Sequence, residues 1–168
     1  ATTATTGTLT QTSGQITGNG NFVITGPVAI SFGGHSGGGT TTAQGTTNIT
    51  STGLYLDGGR TFRNEGTVNQ TGGVNLNARV LGTAEAGNGA VLNAVSGVWN
   101  AIGGASINAS GQGGTDTGAG ATFTNAGTFN RSGTGTSFVQ VAFDNSGSVT
   151  GAQGTLNFSS SLTNQTGG

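Results

Sequence analysis

The sequence predicts an all-β chain wound as a parallel β-helix, or β-solenoid, in coils of roughly 20 residues with some extended to about 30 by insertions. Three observations carry this reading. One eight-residue phrase recurs, as "TFRNEGTV" (61–68), "TFTNAGTF" (122–129) and "AFDNSGSV" (142–149). Apolar and polar residues alternate over short stretches such as "GVNLNA", "GLYLDG" and "GTLNFSS", which is the period of a strand. Breaks rich in Gly or Asn-Gly separate these stretches, and no helical stripe of any length intervenes.

Residues 1–61 read as less regular coils. "GNGNFVITG" (18–26) and "TTNITSTGLYLDGG" (46–59) are predicted strands, with "GGHSGGG" (33–39) a loop between them. The repeats become clear over 62–168. Their copies are Phe62/Asn64/Gly66/Val68, Phe123/Asn125/Gly127/Phe129 and Phe143/Asn145/Gly147/Val149, with a truncated copy at Leu162/Asn164. A degenerate copy, "LNAVSGV" (92–98), aligns Leu92 with Phe62 and carries one extra residue before Gly97. The resulting steps are 30, 31, 20 and 19 residues, counted from 62 through 92, 123 and 143 to 162. A second phrase follows each first one, as "TVNQTGG" (67–73), "VWNAIGG" (98–104) and "TFNRSGT" (128–134). A third, "GGVNLNA" (72–78), returns as "GGASINA" (103–109) at an offset of 31. The longer steps are assigned to insertions at 81–90 and 111–120, either loops from one corner or arms on one face. The whole of 1–168 reads as one array, a segment or subunit of a longer rod.

Stacking explains what recurs. Successive coils lie about 4.8 Å apart, so equivalent residues sit above one another. Phe62, Phe123, Phe143 and Leu162 are predicted to fill the interior as a column. Asn64, Asn125, Asn145 and Asn164 are predicted to stack at a turn with their amides bonded along the axis. Gly66, Gly127 and Gly147 are read as supplying a positive φ at a sharp corner. Positions between them, such as Arg63, Thr124 and Asp144, face solvent and vary.

Composition narrows the partners. The 168 residues include 36 Gly and 1 Pro, and the net charge is −1. The only basic side chains besides one His are Arg60, Arg63, Arg79 and Arg131, which provide no field for nucleic-acid phosphates or anionic lipid. No apolar run approaches the roughly 20 residues of a membrane span. "ATTATTGTLTQT" has neither the basic flank nor the apolar centre of a signal peptide. The absence of Met marks the chain as a processed product or a piece of something longer. Without Cys, disulfides and thiolate metal sites are excluded. Low net charge and repeated apolar positions argue against disorder.

Few individual residues carry a chemical signal. His35, the only histidine, is assigned to a flexible loop rather than to a metal site. Asp116 in "GGTDTGAG" is similar to calcium-binding glycine-rich repeats, but occurs once and lacks the "GGxGxD" spacing. Asp57, Arg60, Arg63 and Glu65 are close in sequence and read as a solvated surface cluster; Glu85, Asp116 and Asp144 are the other acids. Trp99 aligns with Val68 and Phe129 and is assigned to the core, whereas an outward Trp99 or Tyr55 would suit a sugar ring. The Thr residues do not keep one register across coils, which argues against ice binding. Sequons at Asn48, Asn69, Asn108, Asn130, Asn157 and Asn164 arise readily in a chain of this composition. No catalytic, cofactor-binding or metal residues are assigned.

On "GNGNFVITG" (18–26), "GGRTFRNEGTVNQTGG" (58–73), "GATFTNAGTFNRSGTGT" (120–136) and "VAFDNSGSVTGAQGTLNFSS" (141–160), the chain resembles the strand-repeat proteins of large secreted bacterial adhesins. These are the filamentous-haemagglutinin-like and autotransporter-passenger-like β-helices. The resemblance covers the chain from about residue 15 and implies export, a cell-surface or extracellular-matrix location, and a role in adhesion or biofilm. It brings no catalytic residues. The expectation is thus a structural stalk or filament subunit whose partner is itself, end to end, because "SLTNQTGG" still follows the repeat and offers no cap. Extracellular polysaccharide or a host surface is the further partner, with neither nucleic acid nor a membrane span. The alternative is a carbohydrate- or host-ligand-binding module using loops 81–90 and 111–120. A polysaccharide-acting enzyme and an ice-binding protein rank below it.

Overall fold

A computed structural model describes residues 2–82 and 85–165. Its strands are short because Gly- and Ser-rich corners cut the chain every few residues. Alternate residues point inward and outward along a strand, and over 61–64, 90–93, 122–125 and 142–145 the burial repeats as half-buried then buried. Among the described residues the fold is all-β, with no helix.

Three strands make one winding. The first comprises β1 (Thr3–Thr6), β2 (Leu9–Gln11) and β3 (Gln15–Thr17). In the second, β4 (Asn21–Ile24) is followed by one long strand, β5 (Val28–Ser36), that spans two faces. The third repeats this with β6 (Thr40–Ala43) and β7 (Thr46–Leu56). The fourth has β8 (Thr61–Asn64), β9 (Thr67–Gln70) and β10 (Val74–Leu76), and the fifth β11 (Ala90–Asn93), β12 (Val98–Ile102) and β13 (Ile107–Ala109). The sixth has β14 (Thr122–Asn125), β15 (Thr128–Ser132) and β16 (Thr136–Val139). The seventh has β17 (Ala142–Asn145), β18 (Ser148–Gly151) and β19 (Thr155–Phe158), and β20 (Leu162–Asn164) opens an eighth.

All pairings between these strands are parallel. The first face is an eight-stranded sheet in the order β1-β4-β6-β8-β11-β14-β17-β20. The second and third faces form one twelve-stranded sheet, because β5 and β7 turn the corner between them without a break. That turn is where the register of β5 against β7 shifts, between Ile30 and Phe32, and where Ser51 and Gly53 take φ of 53° and 81°. This is a parallel β-helix with three faces.

The first third winds on the same faces as the rest. Thr3 pairs with Asn21, Phe22 with Thr41, and Thr40 with Thr61, giving steps of 18, 19 and 21 residues. The predicted loop at 33–39 is a correction: Gly33–Ser36 belong to β5, and His35 lies fully buried across from Leu56. The glycines there admit the Gln11 side chain, which a Cβ on Gly33 would strike.

Two register expectations also need correction. Val91, not Leu92, stands over Phe62, and Leu92 faces outward beside Arg63. The steps are therefore 29 and 32 residues, from Phe62 to Val91 and on to Phe123. The corner before Gly97 holds Ala94, Val95 and Ser96 where the winding before it has Glu65 alone, and Val95 projects into solvent. Similarly, Val74 pairs with Ile107, 33 residues on rather than 31, because residues 102–106 form a longer corner than 71–73.

The core is a narrow column. Phe62, Trp99, Phe123, Phe129 and Phe143 are fully buried, joined by Ile24, Ile49, Leu54 and Leu56 toward the N-terminal end. Trp99 meets Phe123 edge-on with centroids 5.0 Å apart, and its indole Nε1 donates to Gln70 Oε1 at 2.9 Å. Each such ring buries large apolar area, and edge-on aromatic pairs add about 0.5–1.5 kcal/mol beyond that.

Candidate functional site

The recurring residues form two adjacent columns on the inner side of the first face. Ala4, Phe22, Thr41, Phe62, Val91, Phe123, Phe143 and Leu162 occupy one register position through the eight windings. Two residues on, Asn64, Asn93, Asn125, Asn145 and Asn164 occupy the next. Each Asn amide donates to the Oδ1 of the next winding, from Asn64 to Asn93 at 2.8 Å, Asn93 to Asn125 and Asn125 to Asn145 at 2.7 Å, and Asn145 to Asn164 at 2.8 Å. The same Nδ2 atoms also reach carbonyls at the corner, such as Gly66 and Val98 for Asn64. A buried amide has two donors and one oxygen to satisfy, and this arrangement satisfies both.

Gly66, Gly127 and Gly147 need a different explanation from the positive φ expected of them. None adopts one. A Cβ on Gly66 would strike the carbonyls of Gln44 and Gly45, one on Gly127 those of Ala94 and Gly97, and one on Gly147 those of Gly127 and Ala126. Glycine is required because the preceding winding's backbone passes too close for any side chain.

The second face carries an outer amide rank that the sequence reading did not single out. Asn69 donates to Asn48 at 3.1 Å, Asn100 to Asn69 at 2.9 Å and Asn130 to Asn100 at 3.0 Å, and Thr150 Oγ1 donates to Asn130 at 2.6 Å. A shorter rank joins Asn108 to Asn75 on the third face at 3.1 Å. The signal was the Asn at the third place of each second phrase. Four sequon positions, Asn48, Asn69, Asn108 and Asn130, are members of these ranks. Beside the long rank, Thr46, Thr67, Val98, Thr128 and Ser148 share one outward register. Thr fills only three of these five places, with Val98 and Ser148 in the others, so no single Thr register runs across the windings.

Charged residues are placed less simply than as one solvated cluster. Arg63 and Glu65 do pair near the surface, at 2.6 Å. Hydrogen bonds from Arg63 and Gln44 hold the Glu65 carboxyl below its ordinary pKa. Asp57 and Arg60, by contrast, are buried. Arg60 donates to Thr41 Oγ1 at 3.1 Å and to the carbonyls of Gly18 and Gly20 at 3.0 and 2.9 Å, and burial lowers its pKa. Arg131, equally buried, is wrapped by the carbonyls of Gly133, Thr134 and Gly135 at 2.9 to 3.2 Å.

His35 completes the Arg60 network. Its Nδ1 lies 3.1 Å from Thr41 Oγ1 and its Nε2 3.0 Å from Gln11 Oε1. Gln11 Oε1 can only accept, so Nε2 carries the proton, and in the neutral ring Nδ1 accepts from the Thr41 hydroxyl, which itself accepts from Arg60. Burial, reinforced by the Arg60 charge, pushes its pKa down to about 3.

The two long connections, 77–89 and 110–121, leave the same corner, between the third face and the first. They fold back over earlier windings. Leu81 N donates to Gln15 Oε1 at 3.0 Å, Glu85 N to Asp57 Oδ2 at 2.9 Å, and Gln112 Nε2 to the Asn77 carbonyl at 2.7 Å. Residues 83 and 84 of the 81–90 insertion, and 166–168 of the final repeat, lie outside the described residues. Asp116 accepts from Asn77, and Tyr55 packs edge-on against Phe32 on the outer side of the third face, at 5.7 Å.

No protein-family profile, curated protein or solved structure matches the chain.

Proposed function

We propose that this chain is a structural β-solenoid segment of an extracellular bacterial stalk, adhesin or matrix fibre, and that its open ends stack on further windings of the same kind. The observation that carries this reading is the state of the last described winding. Leu162 continues the Phe column and Asn164 the Asn column into it, and Leu162 stands about half exposed over Phe143. Asn145, Gly147, Val149, Phe158, Leu162 and Asn164 surround a hollow of about 350 Å³ there. Asn164 accepts from Asn145 as an inner member of the ladder would. An exposed row of strand edges with an apolar centre is a template for another strand layer. More of the same chain or a second copy fits it by construction, because both present the same periodicity.

Sedimentation velocity over a concentration series, with negative-stain microscopy, tests the association. Growth into rods of one width is expected, and Leu162→Lys should suppress it. A monodisperse, compact monomer at high concentration would refute end-to-end stacking.

A second reading, a ligand-binding module, is favoured by the shared corner from which both long connections emerge. Its ligand would be a neutral glycan or a host surface, engaged by 81–90 and 111–120. Loss of surface attachment on shortening both connections, with rod formation intact, would select this reading over the first.

A further inference from the structure

The corner beneath the two long connections contains oxygen atoms that no hydrogen bond of the chain satisfies. Asp57 Oδ1, Asn77 Oδ1 and Asn88 Oδ1 are each buried without a partner, and Asp57 and Asn77 are fully buried as residues. The backbone makes Asp57 a neighbour of both Asn residues. Leu56 pairs with Leu76, and Ala78 N donates to the Leu56 carbonyl, so Asp57 and Asn77 occupy the same corner on successive windings. Asp57 also bridges to Asn88 in antiparallel fashion, across the first long connection.

The remaining side-chain atoms of Asp57 and Asn77 have partners. Asp57 Oδ2 accepts from Glu85 N at 2.9 Å and lies 3.8 Å from Arg79 Nε, while Arg79 Nη2 pairs with Glu85 Oε1 at 2.9 Å. Asn77 Nδ2 donates to the Ser110 carbonyl and to Asp116 Oδ1, both at 2.6 Å. What is left over is one carboxylate oxygen and two amide oxygens. The carboxylates of Asp57, Glu85 and Asp116 outnumber the single Arg79 guanidinium among these groups.

Buried acceptors without donors are costly, and their natural complement is a positive charge. We propose that Asp57, Asn77 and Asn88 form a calcium site that ties the first long connection to the rod. Carboxylate and amide oxygens, completed by water, are the ligands of a hard cation, and Ca²⁺ tolerates an irregular set of six to eight of them. Mg²⁺ demands near-ideal octahedral geometry, to which three separate segments of backbone are poorly suited. A thiolate- or imidazole-seeking metal finds no ligand, since the chain lacks Cys and both ring nitrogens of His35 are engaged elsewhere. No metal is expected from the sequence, which has no Cys, one His and no calcium-repeat spacing around Asp116. Amide oxygens gathered by the fold lie outside those signals.

The experiment is thermal unfolding of the chelator-stripped chain in CaCl2 or MgCl2 at matched ionic strength, with calorimetric titration of Ca²⁺. One Ca²⁺ per chain is expected, and the unfolding midpoint should rise by about 5–10 °C at a hundredfold excess over the dissociation constant. MgCl2 should give a much smaller rise. Asp57→Asn and Asn88→Ala should each lose the calcium response, while Asp144→Asn, on the outer side of the first face, should retain it. Circular dichroism at low temperature shows whether each variant is folded, and Asn88→Ala serves if Asp57→Asn is not. No calcium-dependent shift in the wild-type chain up to about 10 mM would mean that the three oxygens hold internal water only, and would overturn the proposal. An undiminished shift in folded Asn88→Ala or Asp57→Asn would overturn it equally.

Discussion

Phe123 and Phe143 lie face to face within the rod, ring centroids 5.1 Å apart and planes 12° from parallel, although a full winding separates them in the chain. Phe143 also meets Phe129 and Phe158 edge-on, at 5.4 and 5.0 Å. Phe143→Ala should therefore cost about 3–5 kcal/mol of unfolding free energy. Arg63→Ala, which breaks a half-exposed ion pair, should cost under about 1 kcal/mol. Urea denaturation of the two variants measures the difference, and equal costs would invert the assignment of inner and outer positions.

The inner and outer amide ranks look alike in sequence but differ in burial. Asn125→Ala removes the acceptor of Asn93 and the donor to Asn145 inside the rod, and should cost about 1–3 kcal/mol. Asn100→Ala on the second face leaves Asn69 and Asn130 open to water and should cost about 0.5 kcal/mol or less. The same urea series compares them.

Gly127→Ala places a methyl group against the carbonyls of Ala94 and Gly97. It should destabilise by about 1–3 kcal/mol, as overpacking does. Gly151→Ala meets nothing within 4 Å and should be neutral or slightly stabilising. If both glycines behave alike, close approach between windings is not what selects Gly at the corner.

His35 provides a pH dependence of defined sign. Its pKa is about 3 folded and near its ordinary 6.5 unfolded, so the unfolded chain binds more protons between these values. Stability from this group is present above pH 6.5 and is lost as the pH falls toward 3, at about 1.4 kcal/mol per unit within the window. Glu65 adds a loss in the same direction only below its ordinary 4.5, so pH 4.5–6.5 isolates the histidine. Unfolding midpoints should drop across that range in the wild-type chain and stay nearly level in His35→Asn. A level wild-type profile would contradict a neutral, buried His35.

Much of the architecture was legible because stacking constrains composition directly. A residue that must lie over its own kind, as Phe62, Phe123 and Phe143 do, recurs at the period of the winding. Positions without a repeat were misread for the same reason. None of His35, Asp57 and Arg60 belongs to a repeat, and distant partners help to bury them, such as Gln11 with His35 and Gly18 with Arg60. Val91 was misaligned because both Val91 and Leu92 are apolar, and only the spacing to Asn93 distinguishes inner from outer. The candidate calcium ligands could not be found by spacing at all. Asp57, Asn77 and Asn88 meet only because one connection folds back on earlier windings.

Cross-linking tests register stacking most directly, and the absence of Cys makes the background clean. Thr124 and Asp144 are outward register partners on β14 and β17. A Thr124→Cys/Asp144→Cys pair should oxidise readily to a disulfide in the folded chain, since neighbouring parallel strands bring Cα atoms within the usual 4.4–6.8 Å. The offset pair Thr122→Cys/Asp144→Cys should oxidise far more slowly. Failure of the first pair in a folded chain, or equal rates for both, would contradict the stacking of successive windings in register.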